Sequence, residues 1–187
     1  MSQASDAPQR EHTFRSLYEA VYPDLLRFVQ RRAAPDHAED VVAEAFLVVW
    51  RRLDDLPRAH PDARAWIFGI ARNILLNEHR GEQRRRALGV RLADAMTSSD
   101  EIATEAVVHR VDLARAWRRL SERHQEALAL AVLDGLNAPQ AAGVLAISPV
   151  AFRLRLSRAR RALRLHLDHL PRAVTPTRDA AERTTTR

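Results

Sequence analysis

Apolar residues recur along this chain at helical rather than strand spacing. After Asp36, the positions Val42, Ala45, Phe46, Val49, Trp50 and Leu53 follow an i, i+3, i+4, i+7 pattern, which is one stripe on a helix running to Leu53. Asp36 is placed to cap that helix, with Glu39 three residues on in a capping-box arrangement. Asp40 and Glu44 fall opposite the stripe, and Glu39 sits at its border. A preceding helix is predicted over Phe14–Ala33 and a following one over Asp62–Arg86, with Gly81 as its weakest point. In that third helix Ile67, Ile70, Ala71 and Ile74 form the apolar stripe, with Trp66 at its edge. Pro35, Pro57 and Pro61 separate the three. Strand-like alternation is hard to find.

The C-terminal half carries the sharpest pattern. Leu120–Arg164 reads as three helices with tight turns between them. Ser148 can cap the last helix, and Pro149 fits its first turn, where the missing N–H costs nothing. Phe152, Leu156, Ala159 and Leu163 share one face. Arg153, Arg155, Arg158, Arg160, Arg161 and Arg164 fill the rest, with no acidic residue between Pro149 and Arg164. A short helix, a turn and a basic amphipathic helix is how a helix-turn-helix offers a recognition helix to the major groove. Residues 1–12 and 171–187 lack an apolar face and read as disordered, and 89–108 reads as a flexible linker. The expected fold is all-α: two small helical domains, 13–88 and 109–170, joined by that linker, the second a helix-turn-helix.

Charge sharpens this picture. The net charge of +6 favours an anionic partner. All 30 basic residues are arginine, which fits a GC-rich coding genome as well as it fits guanidinium chemistry, so the total by itself does not identify a function. Cysteine is absent, which excludes disulfides, a thiol nucleophile and Cys-ligated zinc. The longest apolar run, Ala127–Leu133, is far short of the ~20 residues that span a bilayer, and the N-terminus is no secretory signal, so a cytoplasmic protein without membrane insertion is expected.

Candidate chemistry is confined to binding. Ala63–Arg86 interleaves aromatic residues with arginine, which suits melted nucleic acid; a solvated surface helix with a core Trp would read the same way. The acidic face of Asp36–Leu53 suits a basic partner, or simply keeps an amphipathic helix soluble. His166 and His169 lie three apart on a helix with no third ligand nearby, so no metal is expected. No Gly-rich phosphate loop, nucleophile elbow or paired carboxylates occur, so no enzymatic activity and no cofactor are expected.

Taken together, these residues resemble a bacterial RNA polymerase sigma factor of the extracytoplasmic-function (ECF) type, over about Phe14–Leu170. AEDVVAEAFLVVWRRL (Ala38–Leu53) looks like the family's core-polymerase-binding helix. ARAWIFGIARNILLNEHR (Ala63–Arg80) looks like the segment that melts and reads the −10 promoter element, and Leu120–Arg164 like the domain that reads the −35 element. The resemblance implies core RNA polymerase and promoter DNA, duplex and melted strand, as partners, and admits an anti-sigma factor. It assigns Glu39, Asp40, Glu44 and Trp50 to polymerase docking, and Arg64, Trp66, Arg72, Asn73 and Arg80 to the −10 region. To the −35 region it assigns Ser148, Ala151, Arg153, Leu154, Arg155 and Arg158.

The chain departs from the family pattern in places. Ala146 stands where the family usually has Gly in the turn, at a cost of about 1 kcal/mol if that residue needs positive φ. Ala151 and Leu154 replace residues that are often Thr and Ser; Leu154 can meet a thymine methyl but cannot hydrogen-bond a base. Two other readings remain open at this point. One is a stand-alone helix-turn-helix regulator. The other is a sigma-like decoy that binds polymerase without directing transcription.

Overall fold

The computed structural model describes residues 6–82 and 104–169. Most of the expected linker, the three consecutive arginines Arg84, Arg85 and Arg86 that end the predicted third helix, and the C-terminal tail lie outside the described residues.

The described chain is helical. α1 (Asp6–Gln30) begins earlier than expected: residues 6–12, read from composition as disordered, form its first two turns. The reason is tertiary and polar. Arg10 donates to the Asp54 carboxylate and, at 3.4 Å, to the Trp50 carbonyl, with its guanidinium 5.9 Å from the Trp50 ring centroid. α2 (Ala38–Arg51) follows a 3-10 turn, Pro35–His37. Asp36 is not its cap: it belongs to that 3-10 turn, which runs straight into the helix, and no side chain caps α2. There its charge still favours the positive end of the helix dipole. A second 3-10 turn, Leu53–Asp55, precedes α3 (His60–Glu82), which passes through Gly81 unbroken.

These three helices pack on their apolar stripes. Val21, Leu25, Phe28 and Val29 of α1, Val42, Ala45, Phe46 and Val49 of α2, and Ile67, Phe68, Ala71 and Leu75 of α3 are all buried. Phe28 and Phe68 stack at the centre, centroids 4.5 Å apart.

In the C-terminal half, α4 (Thr104–Arg118) starts inside the segment read as linker, so residues 104–108 are helical. α5 (Glu122–Leu128) continues into one π-helical turn, Ala129–Leu133, in which the Asp134 N–H donates to the Ala129 carbonyl at 2.9 Å. Gly135, at φ +64°, then lets the Leu136 N–H close on the Leu130 carbonyl at 2.9 Å. α6 (Ala138–Leu145) opens with a reciprocal capping box: Gln140 N–H donates to Asn137 Oδ1 (3.0 Å), and Asn137 N–H to Gln140 Oε1 (3.1 Å). It ends on Ala146 in the left-handed region, φ 53°. α7 (Pro149–Asp168) starts as expected, with Ser148 Oγ accepting from the Ala151 N–H at 3.1 Å. Its stripe turns inward: Phe152 and Ala159 are buried, and Leu156 and Leu163 partly so.

The two helical domains pack directly on each other. One continuous apolar core joins the α1–α3 residues to Ala127, Leu130, Ala141, Val144 and Phe152. α3 and α6 approach closely enough that a Cβ on Gly69 would lie 3.8 Å from the Val144 Cα. Among the described residues, no helix is long and apolar enough to cross a membrane.

Candidate polymerase and nucleic-acid interfaces

Three surfaces collect the residues singled out in the sequence. The first lies on α1 and α2. Glu39, Asp40 and Glu44 are all exposed along α2. Beside them runs an aromatic groove lined by Tyr18, Tyr22, Glu39, Phe46, Leu47 and Trp50. Trp50, on the predicted core stripe, instead reaches its rim: it is 40% exposed and packs edge-on against Phe14 with centroids 5.2 Å apart. Leu47 beside it is 56% exposed. Exposed apolar groups rimmed by carboxylates suit a partner surface that is both apolar and basic. Leu47 is a residue the sequence reading missed, although its place one position after the Phe46 stripe was visible.

The second surface is α3, and here the structure separates the expected residues. Asn73 is exposed, and with half-buried Trp66 it lines a cleft of about 440 Å3 between α3 and α6. Arg52 lies 5.5 Å from the Trp66 ring centroid. Arg64 and Arg72 are engaged within the protein. Arg64 Nε donates to Asp24 at 2.7 Å, and its NH2 donates to the Asp134 carbonyl at 2.8 Å while the guanidinium lies over Phe68. Arg72 grips Glu126 with two hydrogen bonds of 2.7 and 3.1 Å. The Arg80 side chain lies outside the described residues.

Charges that the sequence reading passed over complete this region. Arg31 and Arg32 both donate to the carboxylate of Asp134, which is fully buried. Burial pulls the Arg32 guanidinium below its usual pKa, against the opposing pull of Asp134 and Glu126. Asp24 moves down as well: burial alone would raise its carboxyl, but Arg27 and Arg64 outweigh it.

The third surface is the outward face of α7. Ala151, Arg153, Leu154, Arg158, Arg160 and Arg161 are exposed, and Arg155 is partly so. Ser148 is exposed, with its hydroxyl committed to the cap.

Two sequence families match this architecture in order. Sigma-70 region 2 matches residues 17–85, and Sigma-70, region 4 matches residues 110–163. The chain is 31% identical over 175 residues to the ECF RNA polymerase sigma factor SigL of Mycobacterium tuberculosis, covering 91% of this chain and 98% of SigL. The chain belongs to the ECF sigma factors. It is a transcription initiation factor, with region 2 in α1–α3 and DNA-binding region 4 in α4–α7.

A second relative of this sigma factor is CnrH of Cupriavidus metallidurans, 31% identical over 140 residues, covering 70% of this chain and 73% of CnrH. The solved structure of CnrH with the cytosolic domain of CnrY superposes with a TM-score of 0.57 at 26% identity, covering 88% of this chain and 94% of that one. The sigma factor RpoE of Bartonella quintana, solved with the anti-sigma factor NepR, shares the fold, with a TM-score of 0.62 at 24% identity over 85% of this chain and 99% of that one.

Proposed function

We propose that this sigma factor docks on core RNA polymerase through α2, captures the melted −10 strand on α3 and reads the −35 duplex with α7, thereby directing transcription of a specific regulon. It works in the cytoplasm, where polymerase and chromosome are, and performs no covalent chemistry of its own. Glu39, Asp40 and Glu44 supply the charge for docking, and Trp50 the apolar anchor. Asn73 and Trp66 face the strand at the α3 cleft; Arg64, Arg72 and Arg80 meet its phosphates and bases. On α7, Arg153 and Arg155 read base edges and Leu154 meets a thymine methyl, while Arg158, Arg160 and Arg161 hold phosphates. Ser148 and Ala151 fix the N-terminal turn that enters the groove. CnrH is solved with the cytosolic domain of CnrY, and a protein inhibitor of anti-sigma type is a further partner of this chain in the same reading.

The observation that carries this reading is the sorting of α7. Its apolar stripe is inside the fold and its arginines are outside, on a helix seated by its own cap. The test is run-off transcription on genomic fragments with core polymerase from a GC-rich bacterium, with the transcript 5′ ends sequenced. New starts sharing motifs near −10 and −35 are the expected result. Polymerase binding without new starts would make the protein a decoy, and no polymerase binding would leave a stand-alone regulator. Reversing Asp40 and Glu44 to Arg abolishes polymerase association and leaves duplex binding by α7 intact; unimpaired association would remove the docking assignment.

A further inference from the structure

The first turns of α7 are apolar on the side that faces away from the fold. Of the side chains from Pro149 to Leu154, Arg153 alone carries a hydrogen-bonding group. Phe152 is buried in the core. Val150 and Leu154 lie two residues to either side of it, so at about 100° per residue both point away from the fold. Val150 is 65% exposed and Leu154 51%. Neither belongs to the buried apolar clusters of the protein, and Ala151 between them is exposed as well. A single exposed apolar residue needs no explanation, but here three share one edge. Helix formation does not call for them. The β-branched Val150 is a poorer helix former than alanine, and the helix is already started by the Ser148 cap and Pro149.

The major groove offers such an edge one apolar partner, the C5-methyl of thymine; the other groups displayed there are hydrogen-bond donors and acceptors. Covering those with Val and Leu side chains strips their water without replacing it, which costs free energy. Attraction and exclusion therefore select the same base. We propose that Val150 and Leu154, with Ala151 between them, make α7 a reader of thymine methyls, and that Val150 is a specificity residue of equal standing with Leu154. This rests on the function proposed above and goes beyond it by adding a second residue and a spacing. Four residues of α-helix rise about 6 Å, and stacked base pairs lie ~3.4 Å apart. With α7 lying along the groove, the two methyls therefore belong to base pairs about two steps apart. Arg153, exposed on the flank of the same edge, is the donor for a guanine beside them.

The experiment uses the full chain assembled with core RNA polymerase from a GC-rich bacterium. Randomised duplexes long enough to hold both promoter elements are selected for binding. The winning duplex is then remade with deoxyuridine in place of thymidine, which removes the methyl and keeps the base pairing. Selected −35 sites should carry thymines about two base pairs apart, on either strand. Each methyl removed should weaken binding about fourfold, or ~0.8 kcal/mol, the worth of one buried carbon. Leu154→Ala should erase the penalty at one thymine and Val150→Ala at the other, each leaving the remaining discrimination in place. Both changes are at exposed positions and to a better helix former, so the fold is kept. Equal binding of the thymidine and deoxyuridine duplexes overturns the proposal, and so does a penalty that both variants retain in full. Selected sites without thymine at that spacing overturn it as well. Failure of the wild-type chain to bind polymerase, or to select any duplex, would remove the function proposed above and this proposal with it, a result distinct from selection of sites that lack thymine.

Discussion

Replacing Ala146 by Gly should stabilise the protein. Ala146 sits at φ 53°, ψ 44°, just past the end of α6. Its N–H donates to the Gly143 carbonyl at 3.2 Å, and the Ile147 N–H reaches back to the Ala142 carbonyl at 3.0 Å, a Schellman closure. An L-residue pays about 1–2 kcal/mol for this left-handed conformation, and Gly does not. Glycine also loosens the unfolded chain, which returns about 0.4–1 kcal/mol. Ala146 is exposed, so removing its methyl opens no cavity. The net gain is therefore about 0.5–1 kcal/mol, or roughly 1–4 °C in Tm for a chain of this size. Thermal unfolding followed by circular dichroism measures it. Gly135 supplies the mirror experiment: it has φ +64°, and a Cβ built there meets nothing within 4 Å. Gly135→Ala therefore isolates backbone strain and should lower Tm by a similar amount. If Ala146→Gly lowers Tm while Gly135→Ala behaves as expected, the turn ahead of α7 is not left-handed and the closure described here is wrong.

Other outcomes follow from the same structure. Phe68→Ala empties a fully buried position stacked on Phe28 and should cost about 3–5 kcal/mol in urea unfolding; a loss under about 1 kcal/mol would contradict the packing. Asp24 is held below its ordinary pKa against the rise burial would cause, so its stabilisation is present above the unfolded carboxyl value and is lost as pH falls through the lower, folded one. Asp24→Asn should thus be less stable than wild type at neutral pH, with the gap closing below about pH 4; a gap that does not change with pH would refute the pairing. Arg153→Ala should weaken binding to one promoter class by roughly 1–3 kcal/mol, read by competition with duplexes of varied −35 sequence. Equal loss on every duplex would move Arg153 to the phosphate group.

Periodicity made most of the fold legible. The stripes of α2, α3 and α7 turn inward almost as read, and the Ser148 cap forms as the sequence implied. What stayed hidden has a common physical origin: polar contacts between distant parts of the chain. The first turns of α1 have no apolar face and are fixed by Arg10 reaching Asp54, a pairing no local pattern reveals. Asp36 looked like a cap because its spacing to Glu39 was right, but Pro35 sets a 3-10 turn that leaves Asp36 one residue short of the capping position, which His37 takes. Arg64 and Arg72 were read as DNA residues from their motif, and nothing nearby announced their internal partners. One signal was available. Glu126 and Asp134 bracket the apolar run Ala127–Leu133, and an acid at the edge of a buried run needs a cationic partner. Arg31-Arg32, in the turn just past α1, was the matching pair.

In a chain whose basic residues are all arginine, the count carries little meaning and the environment of each carries most of it. Salt separates the two environments. Apart from half-buried Arg155 the α7 arginines are exposed, so each phosphate they neutralise adds about 0.9 to the slope of log affinity against log salt on duplex DNA. Glu126–Arg72 and Asp134–Arg32 are buried pairs and are screened far less. Raising the salt should therefore weaken duplex binding by α7 and leave the internal pairs nearly as strong. Arg160→Ala, which removes one exposed phosphate contact, should flatten the slope on duplex DNA by about 0.9. An unchanged slope would take Arg160 out of the phosphate-holding set.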